Sequence, residues 1–295
     1  MNDVTARAPL RVIVNVDDLG MHPAVRRAVE ECAALGTVTS ASVMANGPDL
    51  ASVRPVRGVS MGAHLNVLRG RPLSPAREVR SLVGEDGLFL GSFARFAARA
   101  LGGTIRHDEL RTEWSRQIAR LRDHGLELSH VDGEKHTHCL PGLFAIACEV
   151  ARDAGITWVR RSVEARGNPA FGAAWLRRAL LRAWCERAHP PAGIRCADRV
   201  WGIAEQGERF TSDAFVRATT DRSDAGEREM VISEVVEIVC HPGRPHRGDP
   251  ALPEGFGRMR VAALWEPELR SLLEDPWRAL AIEHGWTLTG FDTLD

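Results

Sequence analysis

Residues 11–20 read Arg-Val-Ile-Val-Asn-Val-Asp-Asp-Leu-Gly. A short run rich in β-branched side chains predicts a buried strand, and the acidic pair marks its end. Pro23 then opens a helical pattern that runs through Leu35, and Gly36 ends it. The same grammar recurs along the chain. Val38–Ala45 predicts a second strand closed by Asn46-Gly47-Pro48, and Val59–Asn66 predicts a third. Leu126–Asp132, Ile156–Arg160 and Val235–Cys240 predict further strands. Helical patterns lie around Phe93–Leu101, His107–Asp123, Pro141–Ala154, Ser212–Thr220 and Val261–Trp286, before a last short strand near Thr287–Thr289. Strands alternating with helices predict a parallel, barrel-like α/β fold.

Four polar motifs fall at the C-terminal ends of predicted strands. They are Asp17-Asp18, His64-Leu65-Asn66, the row His130–His138 and His241-Pro242-Gly243. In a barrel of parallel strands that end is the catalytic face.

The row reads His-Val-Asp-Gly-Glu-Lys-His-Thr-His. Alternate residues of an extended segment share a face. If the row is extended, His130, Asp132, Glu134, His136 and His138 line one face. Lys135, the only lysine in the chain, and Thr137 line the other. Such a face is costly to bury unless it binds an ion or does chemistry. Each motif alone has a plainer reading. Asp17-Asp18 suits a helix N-cap, His64 a core histidine, His241 a turn, and the row a polar loop.

The 295 residues suit one large α/β domain or two small ones. We expect a single catalytic domain over 1–295, with a long active-site loop at 67–92 and an insertion or lid at 165–195. Within the insertion, Ala173–Ala188 predicts a basic amphipathic helix. It reads first as a surface helix with a solvated arginine face, and second as a substrate lid or membrane-surface contact. A formal net charge of −1 provides no field that would recruit nucleic acid. No stretch is apolar enough for a transmembrane segment, and the start lacks a signal-peptide pattern. The six cysteines show no CxxC spacing, so the expectation is reduced thiols in a cytoplasmic protein.

Together the motifs resemble a known family. Asn15-Val16-Asp17-Asp18-Leu19-Gly20 looks like the NADDFG opening of the YdjC-like carbohydrate deacetylases, which include the chitooligosaccharide deacetylases. Gly36–Pro48 is similar to that family's G-x-V-T-S-x-S-x-M-x-N-G-P segment. Gly62-Ala63-His64-Leu65-Asn66 matches G-x-H-L-N, and Gly70–Leu73 is similar to G-x-P-L. His130-Val131-Asp132 and His136-Thr137-His138 match the ends of H-x-D-S-H-x-H-x-H. Cys240–Gly243 matches C-H-P-G. The resemblance runs from about Val12 to Gly243.

It implies a distorted (β/α) barrel, one divalent cation (Mg or Zn, with Mn as a further candidate) and hydrolysis of a linear amide, the N-acetyl group of an amino sugar. Carried over by position, Asp18 and His64 would bind the metal, Asp17 would be the general base and His241 the general acid, with His136 or His138 as substitutes. Asn66, Asp132, His138 and Arg160 would touch substrate or support the ligands. The chain departs from the family at its usual third ligand, where Glu134 replaces histidine, so the third ligand is Glu134 or His136. A carboxylate there makes the set harder and tilts it toward Mg or Mn. The 173–188 insertion resembles that of the hopanoid-associated branch, which favours a lipid-linked or bulky substrate. Homo-oligomerisation is left open.

Three other readings compete. A glycoside hydrolase needs two carboxylates flanking the scissile bond, which sequence neighbours cannot easily provide. A metal-dependent phosphoesterase fits the acid pair and His-x-His. A non-catalytic sugar-binding relative would follow if Glu134 marks a lost ligand.

Overall fold

The computed structural model describes residues 10–164, 173–220, 234–258 and 260–294. Strand β1 (Arg11–Leu19) is buried almost from end to end. Helix α1 (Pro23–Leu35) follows. Its first turn is capped by His22, whose Nδ1 accepts from Ala24 N at 3.1 Å, and Gly36 ends it in the left-handed conformation at φ 70°. Then come β2 (Ser40–Val43), β3 (Ser60–Leu65), α2 (Phe93–Leu101), α3 (His107–Asp123), β4 (His130–Gly133), α4 (Leu143–Asp153) and β5 (Trp158–Val159). The second half holds α5 (Ala173–Arg187), β6 (Arg199–Trp201), α6 (Ser212–Thr220), β7 (Val235–Cys240), α7 (Glu266–Glu274), α8 (Trp277–Glu283) and β8 (Thr287–Leu288).

All strand pairs are parallel, in the order β5-β4-β3-β2-β1-β7-β6. β8 pairs with the first residues of β1, and β2 pairs further along it. The sheet curls until its ends meet. Arg195 bridges Trp158, and Val200 N donates to Val163 O at 2.9 Å. This is the expected barrel in distorted form. β6 was not foreseen, because three residues carry too little pattern to stand out. The expected helix over 261–286 is instead a π-helical turn at Val261–Trp265 followed by α7 and α8, with Asp275-Pro276 between them.

The barrel interior is layered. Ile13, Trp158, Ala197, Val235, Phe291 and Leu294 form an apolar plug at the N-terminal end of the strands. Above it the inward positions turn polar: Asn15, Ser40, His130 and Glu237, then Asp17, Ser42, His64 and Asp132. The outward positions Val12, Val14 and Val16 join the core under the helices. A sheet buried on both faces explains why the strands read as apolar runs interrupted by single polar residues.

The 67–92 segment is a packed loop. It buries Val67, Leu68, Val79, Leu82, Phe89 and Leu90 and closes an antiparallel bridge between Val83 and Phe89. Residues 165–172 of the expected insertion lie outside the described residues. Along α5, Leu181 and Trp184 pack on the core and Cys185 is fully buried, while Leu180 is exposed. The cysteines described are all unpaired by disulfides. No helix among the described residues is long and apolar enough to cross a membrane.

Candidate metal centre

The acidic pair sits on a bulge. Val16 pairs with Ala41, but Leu19 pairs with Val43, so β1 carries one extra residue there. Asp18 takes φ 65°, in the left-handed region that few non-glycine residues adopt and that aspartate tolerates better than most. The bulge turns neighbouring carboxylates into different surroundings. Asp17 stays in the inward row with Asn15, whose Nδ2 donates to Asp17 Oδ1 at 2.8 Å. Asp18 swings toward β3, bringing Oδ1 to 3.4 Å from His64 Nε2.

His64 is held by its other nitrogen. Nδ1 lies 2.7 Å from Asp132 Oδ1 and 3.3 Å from Ser42 Oγ. Burial would raise the Asp132 pKa, but Arg160 holds this carboxyl below its ordinary value. An ionised Asp132 accepts a hydrogen bond from Nδ1–H and so aims Nε2 into the site, the arrangement that orients histidine ligands.

Glu134 completes the group, with Oε2 3.5 Å from His64 Nε2. Asp18, His64 and Glu134 are all buried, and their ligand atoms lie within 4.8 Å of one another. Asp18 Oδ1 and His64 Nε2 are shut off from solvent without a hydrogen-bond partner. Electron-rich atoms facing each other without a donor are unstable unless a cation or proton sits between them. One imidazole and two carboxylates suit a divalent cation. A second group, Asp17, His64 and Asp132, also converges. There the charge of Arg160 is already in place: its Nη2 lies 2.7 Å from both Asp17 Oδ1 and Asp132 Oδ2. The first group is the one that fits a metal.

Arg160 is 1% exposed and also bonds Glu237, Nε to Oε1, at 2.8 Å. It grips Asp17 with two nitrogens, Nη1 to Oδ2 at 2.8 Å and Nη2 to Oδ1 at 2.7 Å. Burial alone would raise the Asp17 pKa. The Arg160 charge and fork overcome it and hold Asp17 well below the usual carboxylate range. Arg160 alone suffices to keep Asp17 ionised. Burial pushes Glu237 up to about 7 despite its contact with Arg160.

His241 follows β7. Its Nε2 is 4.0 Å from Asp17 Oδ2, and its Nδ1 is 3.7 Å from Glu268 Oε2 on α7. Burial works against protonation, but Glu268, then Asp17 and Asp18, raise His241 to about 9. At neutral pH it holds a proton beside Asp17.

The histidine row is not extended. β4 ends at Gly133, and Glu134–Cys139 forms a 3₁₀ turn with Lys135 and His136 at φ 48° and 57°. Past the sheet no neighbouring strand holds the backbone straight, so the alternation fails. His136 turns to Ser162, with Nδ1 2.9 Å from its Oγ, and is not gathered with Asp18 and His64. Burial and Arg160 push His136 down to about 4. His138 is buried with Nε2 2.8 Å from Arg160 O. His130 lies deeper, stacked on Phe291 with ring centroids 4.1 Å apart. Asn66 is fully buried. Its Oδ1 accepts from Leu68 N and Arg69 N, and its Nδ2 donates to Asn46 Oδ1 and Arg69 O. It organises the loop after β3. Arg160, also buried, supports Asp17 and Asp132.

Sequence reading missed Arg69, Glu237 and Glu268. Arg69 is one arginine among many in the loop, and Glu268 belongs to an ordinary helix start. Glu237 did leave a signal, as the single charge in the run Val235–Cys240.

The model of the family described as YdjC-like protein matches residues 11–281. The chain is 30% identical to the carbohydrate deacetylase of Mus musculus, covering 97% of this chain and 95% of that protein. It is 25% identical to the chitooligosaccharide deacetylase of Escherichia fergusonii, covering 78% and 81%. Among solved structures, one from Enterococcus faecalis, provisionally described as a cellobiose-phosphate cleavage protein, aligns with a TM-score of 0.69. It is 20% identical and covers 97% of this chain and 99% of that one. That likeness bears on the fold alone.

Proposed function

The chain belongs to the YdjC-like family, and from that premise we propose that it is a metal-dependent carbohydrate deacetylase that removes the N-acetyl group of an amino sugar. One observation carries the proposal. Asp18 Oδ1, His64 Nε2 and Glu134 Oε2 converge, buried, with no hydrogen bond on the first two. Asp18, His64 and Glu134 would hold the cation. Two carboxylates and one imidazole favour Mg or Mn over Zn. When bound, a divalent cation makes water more acidic and polarises the acetyl carbonyl.

The remaining groups suit the two proton transfers of amide hydrolysis. Asp17 is ionised throughout the neutral range and can accept the proton of the attacking water. Its pairing with Arg160 makes it a weak base, so it suits a water already acidified. His241, protonated near pH 7 and 4.0 Å from Asp17, can donate to the leaving amine. Asp132 keeps the His64 tautomer correct, and Arg160 keeps Asp17 and Asp132 apart and charged. His241 is 20% exposed in its side chain while Asp17 is 3% exposed, so substrate would approach from the His241 side.

The test is acetate release from N-acetylglucosamine oligomers and lipid-linked N-acetylglucosaminyl compounds, with chelator and with Mg, Mn or Zn restored. Release that chelator abolishes and a cation restores is the expected result. Phosphate release from phosphoesters, with no acetate from any sugar, would overturn the reading.

A further inference from the structure

Of the two acidic groups in the metal triad, only Glu134 forms an ion pair with an arginine among the described residues. Arg69 Nε donates to Glu134 Oε1 at 2.7 Å, leaving Oε2 to face His64 Nε2. The Arg69 side chain is 21% exposed and Glu134 4%, so water screens the pair poorly. Arg69 is itself pinned. Its backbone N–H bonds Asn66 Oδ1 at 3.0 Å, its carbonyl accepts from Asn46 and Asn66, and its Nη1 donates to Phe256 O. Its fork is therefore delivered to Glu134 by two loops, one after β3 and one before α7. Asp18 forms no ion pair with an arginine among the described residues and faces His64 Nε2 at 3.4 Å instead.

The charges then count simply. Asp18 and Glu134 each contribute −1, and His64 is neutral as a ligand. Arg69 adds +1 directly on Glu134, so the Glu134–Arg69 pair sums to zero, which is the charge of a neutral imidazole. We propose that Arg69 is a positioning residue that makes Glu134 the electrostatic equal of a neutral ligand. It does so by fixing one oxygen, aiming the other, and cancelling the extra charge. The proposal rests on the cation reading above. Glu134 and Arg69 then form one unit, and changing either alone leaves an unbalanced charge beside the cation. Histidine at 134 with Arg69 retained would set a guanidinium beside a dication with no anion between them.

The test is a double-mutant cycle on cation affinity, read by titrating Mn²⁺ and Zn²⁺ into the chelator-stripped full chain. Glu134→His is expected to weaken binding more than tenfold when Arg69 is present. In the Arg69→Gln background the same change is expected to cost less than threefold. Glu134→Gln in both backgrounds repeats the cycle with an isosteric side chain, should histidine fail to fit. Arg69→Lys, which keeps the charge, should behave like the parent in the cycle. Costs that agree within twofold in the two backgrounds overturn the proposal. A parent chain that binds neither ion overturns the cation reading itself, and so separates the two failures.

Discussion

Asp17 and Asp18 are adjacent and chemically identical, yet a single bulge gives them different surroundings. Asp17 carries four hydrogen-bond contacts from Asn15, Ser42 and Arg160, while Asp18 Oδ1 has none. That contrast is why we propose the first for the proton transfer and the second for the cation. Asp17→Asn should lower deacetylation at least about 100-fold while cation affinity stays within about threefold, as loss of a general base requires. Parallel kinetics and cation titration check it; joint loss would make Asp17 a ligand. His241 gives the pH counterpart. Its folded pKa of about 9 lies above the ordinary 6.5, so the protonated form contributes stability fully present below about 6.5 and lost as pH rises through about 9. Activity that needs this proton should fall along the same alkaline limb. Glu268→Gln removes the main charge that raises it, and the limb should move toward 6.5. The same change weakens the acceptors of Gly207 N and His241 N, so a stability loss of about 1–3 kcal/mol should accompany it. An alkaline limb unmoved by Glu268→Gln would remove His241 from the proton path.

At the scale of elements, legibility followed burial. Strands β1, β2, β3 and β7 were readable because the sheet is covered on both faces, so each strand is an apolar run with a few inward polar residues. The same inward positions gave the site its visible members, Asp17, His64 and Asp132. The row after β4 misled because alternation is a property of strands, and the chain leaves the sheet at Gly133. Left-handed turns at Lys135 and His136 have no sequence signal of the kind that glycine supplies. Arg160 and Arg69 were hidden for another reason: an arginine's role depends on which carboxylates tertiary packing brings to it. β3 offers a direct test of the packing that carries His64. Gly62 is opposite His130, and a Cβ there would come within 2.3 Å of the His130 ring. That ring cannot retreat, since it stacks on Phe291 and sits 3.1 Å from Asn15 Oδ1. Gly62→Ala should cost about 1–3 kcal/mol by overpacking, read as a lower urea midpoint with unchanged slope. Gly58→Ala is the control for space, because nothing lies within 4 Å of a Cβ there; its φ of 77° still carries a backbone cost.

At the scale of the molecule, the barrel is closed at one end and charged at the other. Phe291 and Leu294, from the end of the chain, plug the bottom with Ile13 and Trp158, and Ser60 Oγ ties that segment down through Asp292 at 2.6 Å. The open end gathers Asp17, Asp18, Asp132, Glu134 and Glu237 against Arg69 and Arg160 in a buried layer. Within the metal triad, Asp18 and Glu134 are drawn from β1 and from the turn after β4, with β3 between them. A cation there would join three segments that are distant in sequence and relieve the crowding of like charges. Stability and site occupancy should therefore be linked. Saturation to about 100 times the Kd adds about 2.7 kcal/mol to the folded state, which for a protein of this size raises Tm by about 5–10 °C. Stripping with chelator should lower Tm by that amount, and restored Mn or Mg should return it. Asp18→Ala should abolish the shift, because it removes a ligand. It should also raise the Tm of the stripped protein, because it removes one of the triad's two buried carboxylates crowded against His64. Both effects in one differential scanning experiment would tie the cation to this triad. A shift of equal size in Asp18→Ala would place the stabilising ion elsewhere in the molecule.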